Sequence, residues 1–302
     1  MHFEGQKPVA VVLNSLFEQY RKHVAEVDRI TKALVEQSVV GSQQDIVNDH
    51  IAFRTLGVPN LGIASLEKIF LAYGYQKKDY YYFAEKKLDA YWYAPEDPSF
   101  PRIFVSELRV KDLSAEAQAI IHSYTDAVVA DPVDRLDLEN GAAVGAFLQE
   151  ALWPLPSLED YQRLLEESEY AAWVIYNRYY LNHYTVSIHT LPEGYNTLEE
   201  FNAFVEGLGI KLNNAGGTIK TSDDGLLRQS STISALYTAT FAEGKQLPIA
   251  GSYVEFAERR VLPEFKDLPA AAILPHHRRD GFEANNADKI FESTYTSQIK
   301  NS

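Results

Sequence analysis

Apolar residues recur at helical spacing from Val9 to Val39 (Val12, Leu16, Val24, Val27, Ile30, Leu34), with charged residues between them, which predicts one long or broken amphipathic helix. From Val47 to Thr55 the period shortens to two, as in a strand. Pro59, Asn60 and Gly62 then mark a loop before a second helix, Ser65 to Tyr73. Aromatic-rich segments Tyr80–Ala84 and Leu88–Ala94, parted by Glu85-Lys86-Lys87, read as a hairpin, and Ile103–Val110 as a further strand. Between Leu113 and about Tyr180 the pattern is helical, punctuated by Pro132, Asn140-Gly141 and the Trp153–Pro156 run. Tyr184–Thr190 returns to strand, and Thr197-Leu-Glu-Glu200 is a capping box for a helix through about Leu208. Strands are expected again at Ser231–Phe241 and Ser252–Arg259, with Glu243-Gly244-Lys245 turning between them. The order strand, helix, antiparallel meander thus occurs twice. It predicts an α+β fold in which modules over about 1–112 and 181–302 flank a helical insertion over 113–180, within one elaborated domain spanning 1–302.

Composition narrows the chemistry. The chain of 302 residues carries 28 Lys+Arg against 42 Asp+Glu, a net charge of −14 that repels phosphate backbones and anionic membranes, so neither nucleic acid nor membrane is an expected partner. It has no cysteine, which excludes disulfides, thiolate metal sites and thiol catalysis. Any metal must be held by His and carboxylates. With no apolar run long enough to span a bilayer and no leader-like start, the expected address is the cytoplasm.

Three strand segments carry candidate ligands. The two-residue period puts His50, Ala52 and Arg54 on one face of Asn48–Thr55, and His183, Thr185, Ser187 and His189 on one face of Asn182–Thr190. In Gly251–Arg259 it groups Tyr253, Glu255, Ala257 and Arg259. Two His and a carboxylate from separate strands are the donor set of a facial triad for Fe(II) or a similar ion. On spacing alone the signal is weak, and hydrogen-bonded strand histidines with Glu255 paired to Arg259 or another cation are the more common arrangement. His189 is six residues along the strand from His183, about 20 Å, too far for both to bind one ion. Glu107 and Glu258 are rival carboxylates expected to be solvated or paired. His276-His277-Arg278-Arg279 reads as a surface loop, Tyr80–Phe83 as cross-strand packing, and His2, His23 and His122 carry no special signal. Gly216-Gly217 lacks the spacing of a phosphate loop.

The segments Asp49–Arg54, Asn182–Thr185, Gln229–Thr232, Gly251–Arg259 and Gly281–Thr294, in that order over nearly the whole chain, resemble the family associated with 2-oxoadipate dioxygenase/decarboxylase activity, formerly a domain of unknown function. The resemblance implies a vicinal-oxygen-chelate-like fold, a mixed β barrel of paired βαβββ modules around a metal. It implies His50, His183 and Glu255 as ligands of Fe(II), Arg54 as the arginine that holds substrate, and conversion of 2-oxoadipate and oxygen to 2-hydroxyglutarate and carbon dioxide in lysine breakdown. Strand spacing gives Arg54 its reach: an extended guanidinium about four residues from His50 can lean back to a far carboxylate. Arg259 stands in the same relation to Glu255, as a second clamp or, better, as a partner that orients the glutamate. A metal hydrolase, with Zn(II) for instance, or a non-catalytic dicarboxylate-binding protein would need the same ligands.

Overall fold

The strand that carries His50 is almost wholly buried because it lies at the centre of an eight-stranded sheet. The computed structural model describes residues 3, 5 and 7–300; His2 lies outside them. In chain order the elements are α1 (Pro8–His23), α2 (Ala25–Glu36), β1 (Asn48–Leu56), α3 (Ile63–Ala72), β2 (Gln76–Phe83), β3 (Leu88–Ala94), β4 (Arg102–Leu108), α4 (Ala115–Thr125), α5 (Gly141–Phe147), α6 (Leu158–Glu167) and α7 (Glu169–Asn177). There follow β5 (His183–Ser187), α8 (Leu198–Gly207), β6 (Lys220–Thr221), β7 (Leu227–Ser231), β8 (Leu236–Thr240), β9 (Gln246–Ala250), β10 (Tyr253–Arg259) and α9 (Ala284–Phe291).

The sheet order is β2-β3-β4-β1-β5-β10-β7-β6. β1 runs parallel to β4 and antiparallel to β5, and β5 runs parallel to β10. The order is therefore symmetric about the β1–β5 pair: β4 matches β10, β3 matches β7 and β2 matches β6. Each half follows the same route, with a helix after its central strand. On the outer face Phe53 of β1 meets Phe70 of α3, and Phe256 of β10 meets Phe201 of α8. Between them α1 covers β5 through Phe17, edge-on to Tyr184 at 5.0 Å, and Tyr20, whose hydroxyl donates to the Tyr253 carbonyl. The inner face carries His50, Arg54, His183 and Glu255, and is closed by α7 and α9.

Several local expectations change. The first helix breaks at buried Val24 (φ −121°, ψ 85°), where a basic last turn (Arg21, Lys22, His23) meets an acidic first turn (Glu26, Asp28), each suiting its helix dipole. Thr197 caps α8 by accepting from the Glu200 amide. The Tyr184–Thr190 strand stops at Ser187, because the Thr190 hydroxyl donates to the Ser187 carbonyl and closes a 3-10 turn over Ile188–Thr190. Ser231–Phe241 is not one strand. β7 ends at Ser231, and β8 and β9 form a separate two-stranded hairpin around the Glu243–Lys245 turn. β2 starts at Gln76, earlier than its aromatic run, and its exposed Lys77 and Lys78 protect the edge of the sheet.

Candidate metal centre

Antiparallel pairing of β1 with β5, and parallel pairing of β5 with β10, bring three donors from distant segments to one point. His50 Nε2 and His183 Nε2 lie 3.3 Å apart; Glu255 Oε1 is 3.5 Å from the first and Oε2 3.1 Å from the second. One donor atom from each falls within 4.8 Å of the others, and all three residues are buried, so a His/His/Glu metal-binding triad is present.

The rings are aimed by their neighbours in sequence. Asp49 Oδ1 sits 2.8 Å from His50 Nδ1, and Asn182 Oδ1 sits 3.0 Å from His183 Nδ1. An acceptor at Nδ1 holds the proton there and leaves the Nε2 lone pair facing the centre. In β1 this contact between adjacent residues is reached where the pairing with β5 shifts register between Asn48 and Ile51. Thr185 Oγ1 lies 3.0 Å from His50 Nε2. Glu255 Oε1 accepts from Gln229 Nε2 at 2.6 Å.

Proton affinity differs between the two imidazoles. Burial opposes protonation of His50, but the carboxylates of Glu255 and Asp49 outweigh it and raise its pKa. Burial, with His50 and Arg54 as positive neighbours, pushes His183 well below the ordinary value. Asp49 is held well below the carboxylate range: burial alone would raise it, and Arg259 and then Arg102 more than offset that. A divalent cation among these donors supplies the positive charge that the Glu255 side of the site attracts. The donor set therefore fits such an ion.

Arg259 is bound to Asp49, through Nε at 2.5 Å and Nη2 at 2.8 Å, while its Nη1 donates to the Arg279 and Gly281 carbonyls. This corrects the expectation of a substrate clamp or a partner of Glu255: every arm is engaged on Asp49 and main chain, so Arg259 steadies His50 through Asp49. Arg54 is buried at the other end of the inner face. Its Nη1 donates to Thr294 Oγ1 at 2.9 Å and its Nη2 to the Phe291 carbonyl at 3.0 Å. Its guanidinium carbon stands 5.1, 5.2 and 5.6 Å from the rings of Tyr170, Trp173 and Phe291. Among the described residues no carboxylate pairs with it, and Arg54 Nε, Asn182 Nδ2 and the Tyr253 hydroxyl are buried without partners. The cavity against the triad is lined by Tyr253, Gln229, Phe104, Phe282, Ile290 and Phe291, among others.

The rivals lie elsewhere. His189 sits on the 3-10 turn, takes the Arg259 amide on Nδ1 at 3.2 Å, and is lowered to about 4 by burial. Glu107 accepts from the Ile63 amide at the start of α3, at 2.7 Å. Glu258 pairs with Arg228 and Arg260. His122 pairs with Asp126, His23 packs on Tyr180, Tyr80 packs on Tyr91, and Gly216 and Gly217 take the positive φ of a turn. His276 and His277 meet edge-on in a loop whose Arg279 pairs with Asp224. Asp49, Asn182, Gln229 and Asn286 were not singled out from sequence. A signal for the first two existed: an Asp or Asn immediately precedes each candidate histidine.

Two pseudo-related modules that close on a His/His/Glu cluster able to hold a metal define the class, a vicinal-oxygen-chelate-like fold. A structure of a putative glyoxalase superfamily protein from Ralstonia eutropha shares this fold (TM-score 0.69, 20% identity, 92% of this chain and 87% of that one). The family model for 2-oxoadipate dioxygenase/decarboxylase matches residues 12–273, and the chain belongs to that family. It is 42% identical over 279 residues to the chloroplastic 2-oxoadipate dioxygenase/decarboxylase of Arabidopsis thaliana, covering 89% of this chain and 73% of that protein. It is 45% identical over 264 residues to the chloroplastic/amyloplastic enzyme of that name from Oryza sativa, covering 84% and 71%. The crystal structure of hydroxyglutarate synthase from Oryza sativa in complex with 2-oxoadipate superposes with a TM-score of 0.86 at 41% identity, over 96% of this chain and 92% of that one. Both curated relatives carry plastid names, which overturns the expectation of a cytoplasmic address. No helix among the described residues is long and apolar enough to cross a membrane.

Proposed function

We propose that this chain is an Fe(II)-dependent dioxygenase/decarboxylase acting on 2-oxoadipate, or a similar 2-oxo dicarboxylic acid, within one domain spanning residues 1–302. The observation that carries the reading is a buried guanidinium, Arg54, without a carboxylate partner among the described residues, beside a buried triad of His50, His183 and Glu255. A cation left in an apolar, aromatic surround calls for an anion. The reaction balances without a cosubstrate: 2-oxoadipate and dioxygen contain every atom of 2-hydroxyglutarate and carbon dioxide. Consumption of such an acid would place the enzyme in lysine breakdown.

When bound, the ion supplies Lewis acidity and a redox partner for oxygen. The protein's residues do the rest. His50, His183 and Glu255 hold the ion, with Asp49 and Asn182 fixing the two rings. Arg54 holds the far carboxylate by a two-pronged hydrogen bond, and its present partners, the Phe291 carbonyl and the Thr294 hydroxyl, give way to that stronger acceptor. Phe104, Phe282, Ile290 and Phe291 exclude water, which keeps the electrostatic contacts strong and protects reactive species from side reactions. Oxygen uptake by the metal-loaded protein tests the reading. Uptake with 2-oxoadipate alone supports it; hydrolysis without uptake, or binding without turnover, replaces it with the hydrolase or the binding protein.

A further inference from the structure

Glu255 is held by a chain of three buried amide contacts that starts on α9. Asn286 Nδ2 donates to the Leu227 carbonyl at 3.3 Å and to Gln229 Oε1 at 3.0 Å. Gln229 Nε2 then donates to Glu255 Oε1 at 2.6 Å. Gln229 and Asn286 are each 2% exposed. The direction of the chain is fixed at its origin. A main-chain carbonyl only accepts, so it must face the amide nitrogen of Asn286. The second N–H of that nitrogen requires the oxygen of Gln229, and the nitrogen of Gln229 is thereby turned onto the carboxylate. Each amide sets the next.

We infer that Gln229, oriented by Asn286, is a positioning residue that reserves one oxygen of Glu255 for hydrogen bonding, so that the carboxylate offers a metal a single donor, Oε2. The inference rests on the metal reading of the triad given above. Its consequence is chemical: three donor atoms from the protein leave the most positions for a chelating 2-oxo acid and oxygen, and a carboxylate that turned both oxygens to the ion would use one of them. The chain also ties the metal ligand to α9, whose Ile290 and Phe291 line the cavity beside the triad. A movement of α9 that parts Asn286 from Gln229 frees Glu255. Coordination at the centre is thus coupled to the position of the helix that covers it.

The test uses Co(II), whose visible absorption reports coordination number, titrated into the full chain and into Gln229→Met and Asn286→Asp. In Asn286→Asp the new carboxylate accepts from the Gln229 nitrogen, turning the amide so that its oxygen faces Glu255, although residue 286 does not touch the glutamate. Both variants are expected to bind Co(II) about 10–100-fold more weakly than the parent, with an altered visible spectrum. Loss of packing alone would lower thermal stability and leave the spectrum of the loaded protein unchanged. If both variants fold and bind Co(II) with the parent's affinity and spectrum, the inference is wrong and the metal reading stands. If the parent binds no Co(II), the metal reading fails and takes the inference with it. Should Gln229→Met not fold, Asn286→Asp decides alone.

Discussion

The two halves of the sheet place a histidine at the same point of the same topology and secure it differently. On β1, Asp49 holds His50 and is itself gripped by Arg259 from β10, a buried ion pair that spans both halves. On β5, a neutral Asn182 holds His183, and its Nδ2 has no partner among the described residues. Burial opposes charge on both rings, but the Glu255 carboxylate, with Asp49 behind it, raises the pKa of His50, whereas burial, with His50 and Arg54 as positive neighbours, pushes His183 well down. A second contrast follows four residues further along each strand. β1 places Arg54 there, facing aromatic rings, whereas β5 places Ser187. Because the central strands are antiparallel, these positions lie at opposite ends of the inner face, so one end alone presents a cation to a ligand. Duplication supplies a metal cradle with near-symmetric donors; the substitutions between the halves give it direction.

The broadest test ignores the contrast. Replacing His50, His183 or Glu255 by Ala should abolish most metal uptake in each case, read by metal analysis of the purified protein, because each offers one donor and no other His or carboxylate among the described residues joins the cluster. The contrast itself appears in the residues behind them. Asp49→Asn leaves the Arg259 guanidinium buried without its counter-charge and should cost about 3–5 kcal/mol of stability in urea unfolding. Asn182→Ala loses one neutral hydrogen bond and should cost about 1 kcal/mol. Equal costs would show that the two halves are secured alike.

Arg54→Ala should lower kcat/KM for a 2-oxo dicarboxylic acid by about 2–5 kcal/mol of lost binding, with metal content unchanged. Arg54→Lys should recover only part, since an ammonium lacks the planar fork. A parent rate in Arg54→Ala would remove the arginine from substrate binding. A smaller effect is expected in acid. The native pKa of Asp49 lies well below its unfolded value near 3.8, so its stabilisation is complete above that value and is lost as pH falls through the native pKa. Asp49→Asn should therefore flatten the stability curve below about pH 4. The smallest change is Asn182→Asp, which makes the halves alike and should raise the His183 pKa toward that of His50, measurable by NMR titration of the metal-free protein.

How much of this could be read in the sequence depends on range. Strand alternation placed His50 with Arg54, and His183 with Thr185, on inner faces, because period-two geometry is local. The helix start at Thr197 was legible for the same reason, whereas the place at which the first helix breaks was not. The partner of Arg259 was not. Residues 49 and 259 meet only because β5 lies between β1 and β10, and spacing along β10 suggested Glu255 instead. The hairpin of β8 and β9 was also hidden, since Ser231–Phe241 keeps strand composition across a break stabilised from outside by the Ser234 amide on the Ser293 carbonyl. Gln229 lay within a segment that marked the family, yet its bond to Glu255 depends on the register of β7 against β10.

Oxygen uptake by the Fe(II)-loaded protein with 2-oxoadipate as sole substrate bears most directly on the joint reading of triad and arginine. Expected is one dioxygen consumed and one carbon dioxide released for each acid converted to 2-hydroxyglutarate, with no 2-oxoglutarate, reductant or flavin added. Absence of uptake by fully loaded protein, or turnover that requires added 2-oxoglutarate and yields succinate, would contradict it.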